Sequence, residues 1–175
     1  MARREPIKWP DNARIAVVIA VPFETWPEDI GMRNSLNMSN RRPYPPNAQS
    51  KKDLHVISDR QYGERVGVYR MLDLLRRHGI ETTFFANGIT VEEFPDTAKE
   101  ILAGGHEIAS ENYIHDYSFM KSYEEEKADQ RRTVEAIEKV VGQRPLGYVS
   151  TGIQPSENTA VILAEEDYVY WTDSQ

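Results

Sequence analysis

Cysteine is missing from this chain altogether. That excludes disulfide staples and thiolate chemistry, and a cytoplasmic home is the expectation. Long apolar runs are missing too. The longest, Ile15 to Val21, falls far short of the roughly 20 residues a membrane-crossing helix needs, so no membrane role is expected. No apolar stretch behind basic residues, the mark of a secretory signal, opens the chain. Basic residues are outnumbered, 21 Lys and Arg against 28 Asp and Glu, for a formal charge of −7. A nucleic-acid partner usually meets a basic face. Here Arg76-Arg77 and Arg131-Arg132 lie among acids on predicted helices, as solvated faces do, and no nucleic acid is expected. Gly147 to Gly152 lacks the glycine spacing and the lysine of a phosphate loop.

What remains is a globular composition: 175 residues, 39% hydrophobic and 28% charged, enough for one domain with a real core. Residues 1–13 read as a polar lead-in and 14–175 as a single domain. Arg14 to Val21 is a β-branched run of the kind that forms a strand covered on both sides. Residues 25–60 carry several prolines and little periodicity, and read as a long loop. From Glu64 to His78, apolar residues recur every three or four positions and predict a helix stopped by Gly79. Further strands are predicted at Glu81–Ala86, Glu107–Ala109, Leu146–Val149 and Tyr168–Trp171. Helices are predicted at Pro95–Ala103, from the capping box Ser122/Glu125 to Val141, and at Ser156–Glu165. Strand and helix alternate with short connections, which predicts an α/β fold of parallel βα units, either an open sheet or part of a barrel.

Polar chemistry follows three of these strands. Glu24, Thr25 and Trp26 follow the first; Ser110, Glu111 and His115 follow the third; Ser150 and Thr151 follow the fourth, with Arg144 just before it. The C-terminal ends of parallel strands share one edge, where ligands gather in α/β folds. Glu24, Glu111 and His115 can therefore converge. Carboxylate and imidazole together are ordinary ligands of divalent ions, and either Glu24 or Glu111 could act as a general base without metal. The plain alternative is that all three are surface loop residues. His106, His78 and His55 read as structural.

Several segments, in order, resemble the polysaccharide deacetylase family, also called the NodB-homology or carbohydrate esterase family 4 group. They are Trp9 to Val17, Gly79 to Phe85, Gly105-His106-Glu107-Ile108-Ala109-Ser110, and Arg144-Pro145-Leu146-Gly147-Tyr148. The wording is most similar to the allantoinase and cyclic-imide-hydrolysing branch. The resemblance implies a deformed (β/α) barrel, here partial and lacking the later strands, and hydrolysis of a C–N bond in a small amide, cyclic imide or ureide. Typical members carry two adjacent aspartates after the first strand and two histidines four apart. Glu24 and Thr25 stand at the aspartate positions and Glu111 and His115 at the histidine positions. The implied site has Glu24 and Arg144 as catalytic residues and Glu24, Glu111 and His115 as metal ligands. Trp26, Tyr148, Ser150 and Thr151 would contact substrate, with backbone N–H groups in this last stretch facing a developing oxyanion.

The carboxylate-rich ligand set suits Zn²⁺, Mn²⁺ or Mg²⁺, while metal-free members of the branch keep a metal-free enzyme open. A small-molecule substrate and a homo- or hetero-oligomer, with a second chain completing the barrel, are the expected partners. The competing reading is a non-catalytic or repurposed subunit with a degenerate metal site.

Overall fold

The computed structural model describes residues 8–29 and 52–173. The outer part of the lead-in, most of the 25–60 loop and the last residues of the chain lie outside the described residues. A five-stranded parallel sheet runs in sequence order: β1 (Ala20–Phe23), β2 (Thr83–Ala86), β3 (Glu107–Ser110), β4 (Gly147–Tyr148) and β5 (Tyr170–Trp171). Register is set by Val21 opposite Phe84, Phe84 opposite Ile108, Ser110 opposite Tyr148 and Gly147 opposite Tyr170. Consecutive neighbours joined by helical crossovers are barrel topology, stopped partway round.

The helices are α1 (Leu54–Tyr62), α2 (Val68–His78), α3 (Gly88–Glu93), α4 (Pro95–Ala103), α5 (Tyr123–Val141) and α6 (Thr159–Glu165). Asp53 caps α1 by accepting from the His55 and Val56 amides. A π turn, Gly63–Gly67, joins α1 to α2, so helix runs on from within the segment read as loop. At α2 the αL conformation of Gly79 ends the helix behind Arg76, Arg77 and His78. The Ser122/Glu125 capping box opens α5, where Ser122 N–H donates to Glu125 Oε2 at 2.8 Å. One side of the sheet packs Phe23, Phe84 and Ile108 against Leu72, Leu75, Val91, Ile101 and Ile137 of the helices. None of the helices among the described residues is long and apolar enough to cross a membrane.

The first strand differs from expectation. Pairing covers Ala20–Phe23, while Ile15, Val17 and Val18 are 72%, 78% and 79% exposed. The reason is positional: β1 is an edge, with β2 as its one ladder neighbour. A β-branched run suits a strand enclosed on both sides, and here the second side has no covering element among the described residues. At the other edge, Val169 and Trp171 are likewise exposed.

Candidate active site

β1 hands over to Glu24 and Thr25, β3 to Glu111, and β4 to Ser150 and Thr151, all at the same sheet edge. There Glu24, Glu111 and His115 meet. His115 Nδ1 lies 3.1 Å from Glu111 Oε1 and 3.3 Å from Glu24 Oε2. One ligand atom from each residue falls within 4.8 Å of the other two. Backbone bonds fix the approach: His115 N–H donates to Thr25 C=O at 3.1 Å, and Glu111 N–H to Ala86 C=O at 3.0 Å. Trp26 Nε1 donates to Glu24 Oε2 at 3.0 Å, and the indole stacks on the His115 ring at 3.7 Å and 18°.

Burial dominates the electrostatics. Glu111 is 2% exposed, and desolvation pushes its carboxyl up to about 8 against the stabilising hydrogen bond of Thr151. Glu24 is also raised, first by burial and then by the Glu111 charge. His115 is lowered to about 4, chiefly by burial, so its imidazole is neutral at physiological pH. Glu111 Oε1 accepts from Thr151 Oγ1 at 2.8 Å, while Glu111 Oε2 is buried with no hydrogen-bond partner among the described residues. An orphaned, buried carboxylate oxygen beside a second carboxylate and a neutral imidazole is a donor set that fits a divalent cation.

Other expected residues fall differently. Trp26 lines the cavity beside Glu24, as a substrate contact would. Tyr148 is fully buried, and its hydroxyl donates to Asn112 Oδ1 at 2.8 Å, so it builds the wall of the site. The Val149 and Ser150 N–H groups are taken, by Ser110 C=O at 3.1 Å and Asp173 Oδ1 at 2.9 Å, so neither is available to an oxyanion. Arg144 is a correction. It precedes β4, at the opposite end of the sheet from Glu24, where its guanidinium donates to the Glu166 carbonyl and borders His106 and Glu107. It ties the approach to β4 onto the end of α6 and is not brought to the cluster.

Thr25 also faces away from the cluster's acids. Its hydroxyl donates to Glu64 Oε1 at 3.2 Å and accepts from Thr90 at 2.8 Å, and its N–H donates to Asn87 Oδ1 at 2.9 Å. The sequence reading missed Asn87, Asn112, Glu64, Arg60 and Asp173. Asn112 is the hub of a buried network, taking hydrogen bonds from Tyr148 and Gln130 and donating to the Asp116 carbonyl. Its place next to Glu111 in the polar run after β3 was the signal available.

A parallel, barrel-type βα sheet thus brings two carboxylates and an imidazole together at its C-terminal edge. Residues 47–171 match the family model described as polysaccharide deacetylase, and the chain belongs to that family. A peptidoglycan deacetylase of Helicobacter pylori is 28% identical over 114 residues, which are 65% of this chain and 39% of that protein. Among solved structures, a Mycobacterium smegmatis protein assigned to the polysaccharide deacetylases superposes with a TM-score of 0.79 at 28% identity, covering 98% of this chain and 56% of that one. PuuE allantoinase gives 0.80 at 27% identity, over 97% of this chain and 58% of its own. The chain thus spans between about two fifths and three fifths of these relatives' lengths, consistent with a partial barrel.

Proposed function

We propose that this chain is the hydrolytic half-barrel of an enzyme that cleaves a C–N bond in a small amide, cyclic imide or ureide. The convergence of Glu24, Glu111 and His115 at the strand ends of a deacetylase-family sheet carries this reading. The cavity beside Glu24, of about 440 Å³, supports a small substrate.

Glu111 and His115 would hold a divalent ion, which when bound supplies Lewis-acid polarisation of a carbonyl and a more acidic water. Glu24, the most exposed of the three at 23% of its side chain, takes the proton. Burial raises its proton affinity above that of an ordinary carboxylate, as a general base requires. Trp26 fixes that carboxylate through Nε1 and holds the imidazole plane by stacking. Thr151 pins one oxygen of Glu111, leaving the other for the cation.

The exposed apolar residues at both sheet edges, Ile15, Val17 and Val18 on one side and Val169 and Trp171 on the other, support a completed assembly. A polypeptide that supplies further strands, joined in sequence or as a second chain, would close the barrel over the site.

The second reading, a subunit without chemistry of its own, draws on Thr25, whose hydroxyl serves Glu64 and Thr90 where typical relatives carry a carboxylate. A panel of acetylated amino sugars, cyclic imides and ureides separates the two. The hydrolase reading expects turnover of at least one member, lost in Glu24→Gln and His115→Ala variants that keep the wild-type circular dichroism. No turnover of any member, with every edge-completing polypeptide supplied, favours the subunit.

A further inference from the structure

Arg60 stands in the last turn of α1, and its guanidinium carbon lies 4.3 Å from the centroid of the Trp26 ring. The His115 imidazole already covers a face of that indole at 3.7 Å. Imidazole and guanidinium thus both contact the one indole, which places the Arg60 charge beside the reactive cluster.

The position is unusual for a helical arginine. Its i+4 neighbour is Glu64, the ordinary ion-pair partner on a regular helix. The π turn beginning at Gly63 breaks that register, and Glu64 turns inward to the Thr25 hydroxyl. Among the described residues, the Arg60 guanidinium makes no hydrogen bond or ion pair. Its N–H donors form a planar fork matched to carboxylate. Arg60 also borders both cavities that flank Trp26, of about 440 and 380 Å³. The other cation lining either of them, Lys52, is engaged by Glu28 at 2.6 Å.

The reactive side of the indole is acidic, with Glu24 and Glu111. The cavities that Arg60 borders are acidic as well, with Glu24 and Glu64 in one and Glu28, Asp29, Glu64 and Glu93 in the other, so an anionic group is held there only by direct contact with a cation. We propose that Arg60, seated over Trp26, is the anchor for a carboxylate carried by the substrate, so that the substrate class is a small amide or ureide with a free carboxylate a few atoms from the scissile bond. This rests on the hydrolase reading for the scissile bond, while the carboxylate subsite stands on the Arg60 geometry. In that pose the carboxylate accepts from the Arg60 fork, and the carbonyl carbon reaches past the edge of the indole to Glu24.

The test is equilibrium binding, by calorimetry or ligand-observed magnetic resonance, of succinamate and of its neutral analogue succinamide to the wild-type chain, Arg60→Gln and Arg60→Lys. Wild type is expected to prefer succinamate by about tenfold or more, the usual discrimination of a charged hydrogen-bonded contact. Arg60→Gln loses that preference with succinamide binding unchanged; Arg60→Lys, which keeps the charge without the fork, retains part of it. A merely structural arginine would weaken both ligands alike. Equal binding of the two ligands by wild type, a preference that survives in Arg60→Gln, or no binding of succinamate overturns the proposal. Because the readout is binding, a chain that prefers succinamate but cleaves no amide refutes the hydrolase reading and leaves the subsite in place. On an amide that is turned over, Arg60→Gln should raise KM more for carboxylate-bearing substrates than for neutral ones.

Discussion

Replacing Glu111 by Gln should stabilise the metal-free protein, and should do so more strongly as pH rises. Burial lifts the Glu111 carboxyl from its ordinary 4.5 to about 8. Between those values the folded state holds a proton that the unfolded state has released, so folding stability falls as pH increases. At 1.36 kcal/mol per unit, the ceiling on this loss is about 5 kcal/mol once pH exceeds the folded value, and about 1 kcal/mol of it falls between roughly pH 7 and pH 8. The substituted amide keeps an oxygen for the Thr151 hydroxyl and has no proton to lose. His115 does not confuse the comparison. Its folded value, lowered from 6.5 to about 4, makes stability rise with pH only up to the unfolded value, below the window used. Glu24 does contribute. Its carboxyl is raised partly by the Glu111 charge, so the substitution also eases Glu24 and adds to the stabilisation. Urea denaturation in chelator, across that window, measures the effect: the Glu111→Gln midpoint should exceed wild type by a margin that widens with pH. Adding Zn²⁺ or Mn²⁺ should reverse the order by raising wild type alone. Parallel pH curves for the two proteins would refute the claim that this carboxyl is buried beside a second acid.

Two further outcomes follow from the same site. For any substrate turned over, kcat/KM should rise with pH through a value above the ordinary carboxylate range, following Glu24, and Glu24→Gln should cost about 10²–10⁴-fold in rate; an unchanged rate moves the base elsewhere. In the loop after β4, Ile153 is 55% exposed with φ at +57°, a conformation that costs a β-branched residue roughly 1–2 kcal/mol, so Ile153→Gly should raise the melting temperature; a lowered one contradicts the strain.

How much of this was legible in the sequence varies with the kind of signal. Elements with capping chemistry were clear: Ser122/Glu125 and Gly142 bracket α5, and Pro95 opens α4. That Glu24, Glu111 and His115 can meet was legible from strand order, because parallel strands deliver their following residues to one edge, while the choice over plain surface residues drew on the family resemblance. The first strand was displaced because a β-branched run says that both faces want cover, not whether cover exists; Ile15, Val17 and Val18 stay exposed among the described residues. The α1 start at Leu54 was hidden by weak amphipathicity, although Asp53 is a good cap. Arg144 was assigned by the motif it begins, yet a residue before a strand belongs to the opposite end of the sheet from one after it. Arg60 gave no signal at all, since its role arises from a π turn that removes its helical partner and from an indole folded back from another element.

The most direct measurement is calorimetric titration of the metal-free chain with Zn²⁺ and Mn²⁺, in buffers of different ionisation heat. The Glu111 and His115 donors around a buried proton predict one ion bound per chain, with release of that proton, and loss of binding in His115→Ala. Absence of a stoichiometric ion, or binding that His115→Ala leaves untouched, would contradict the account.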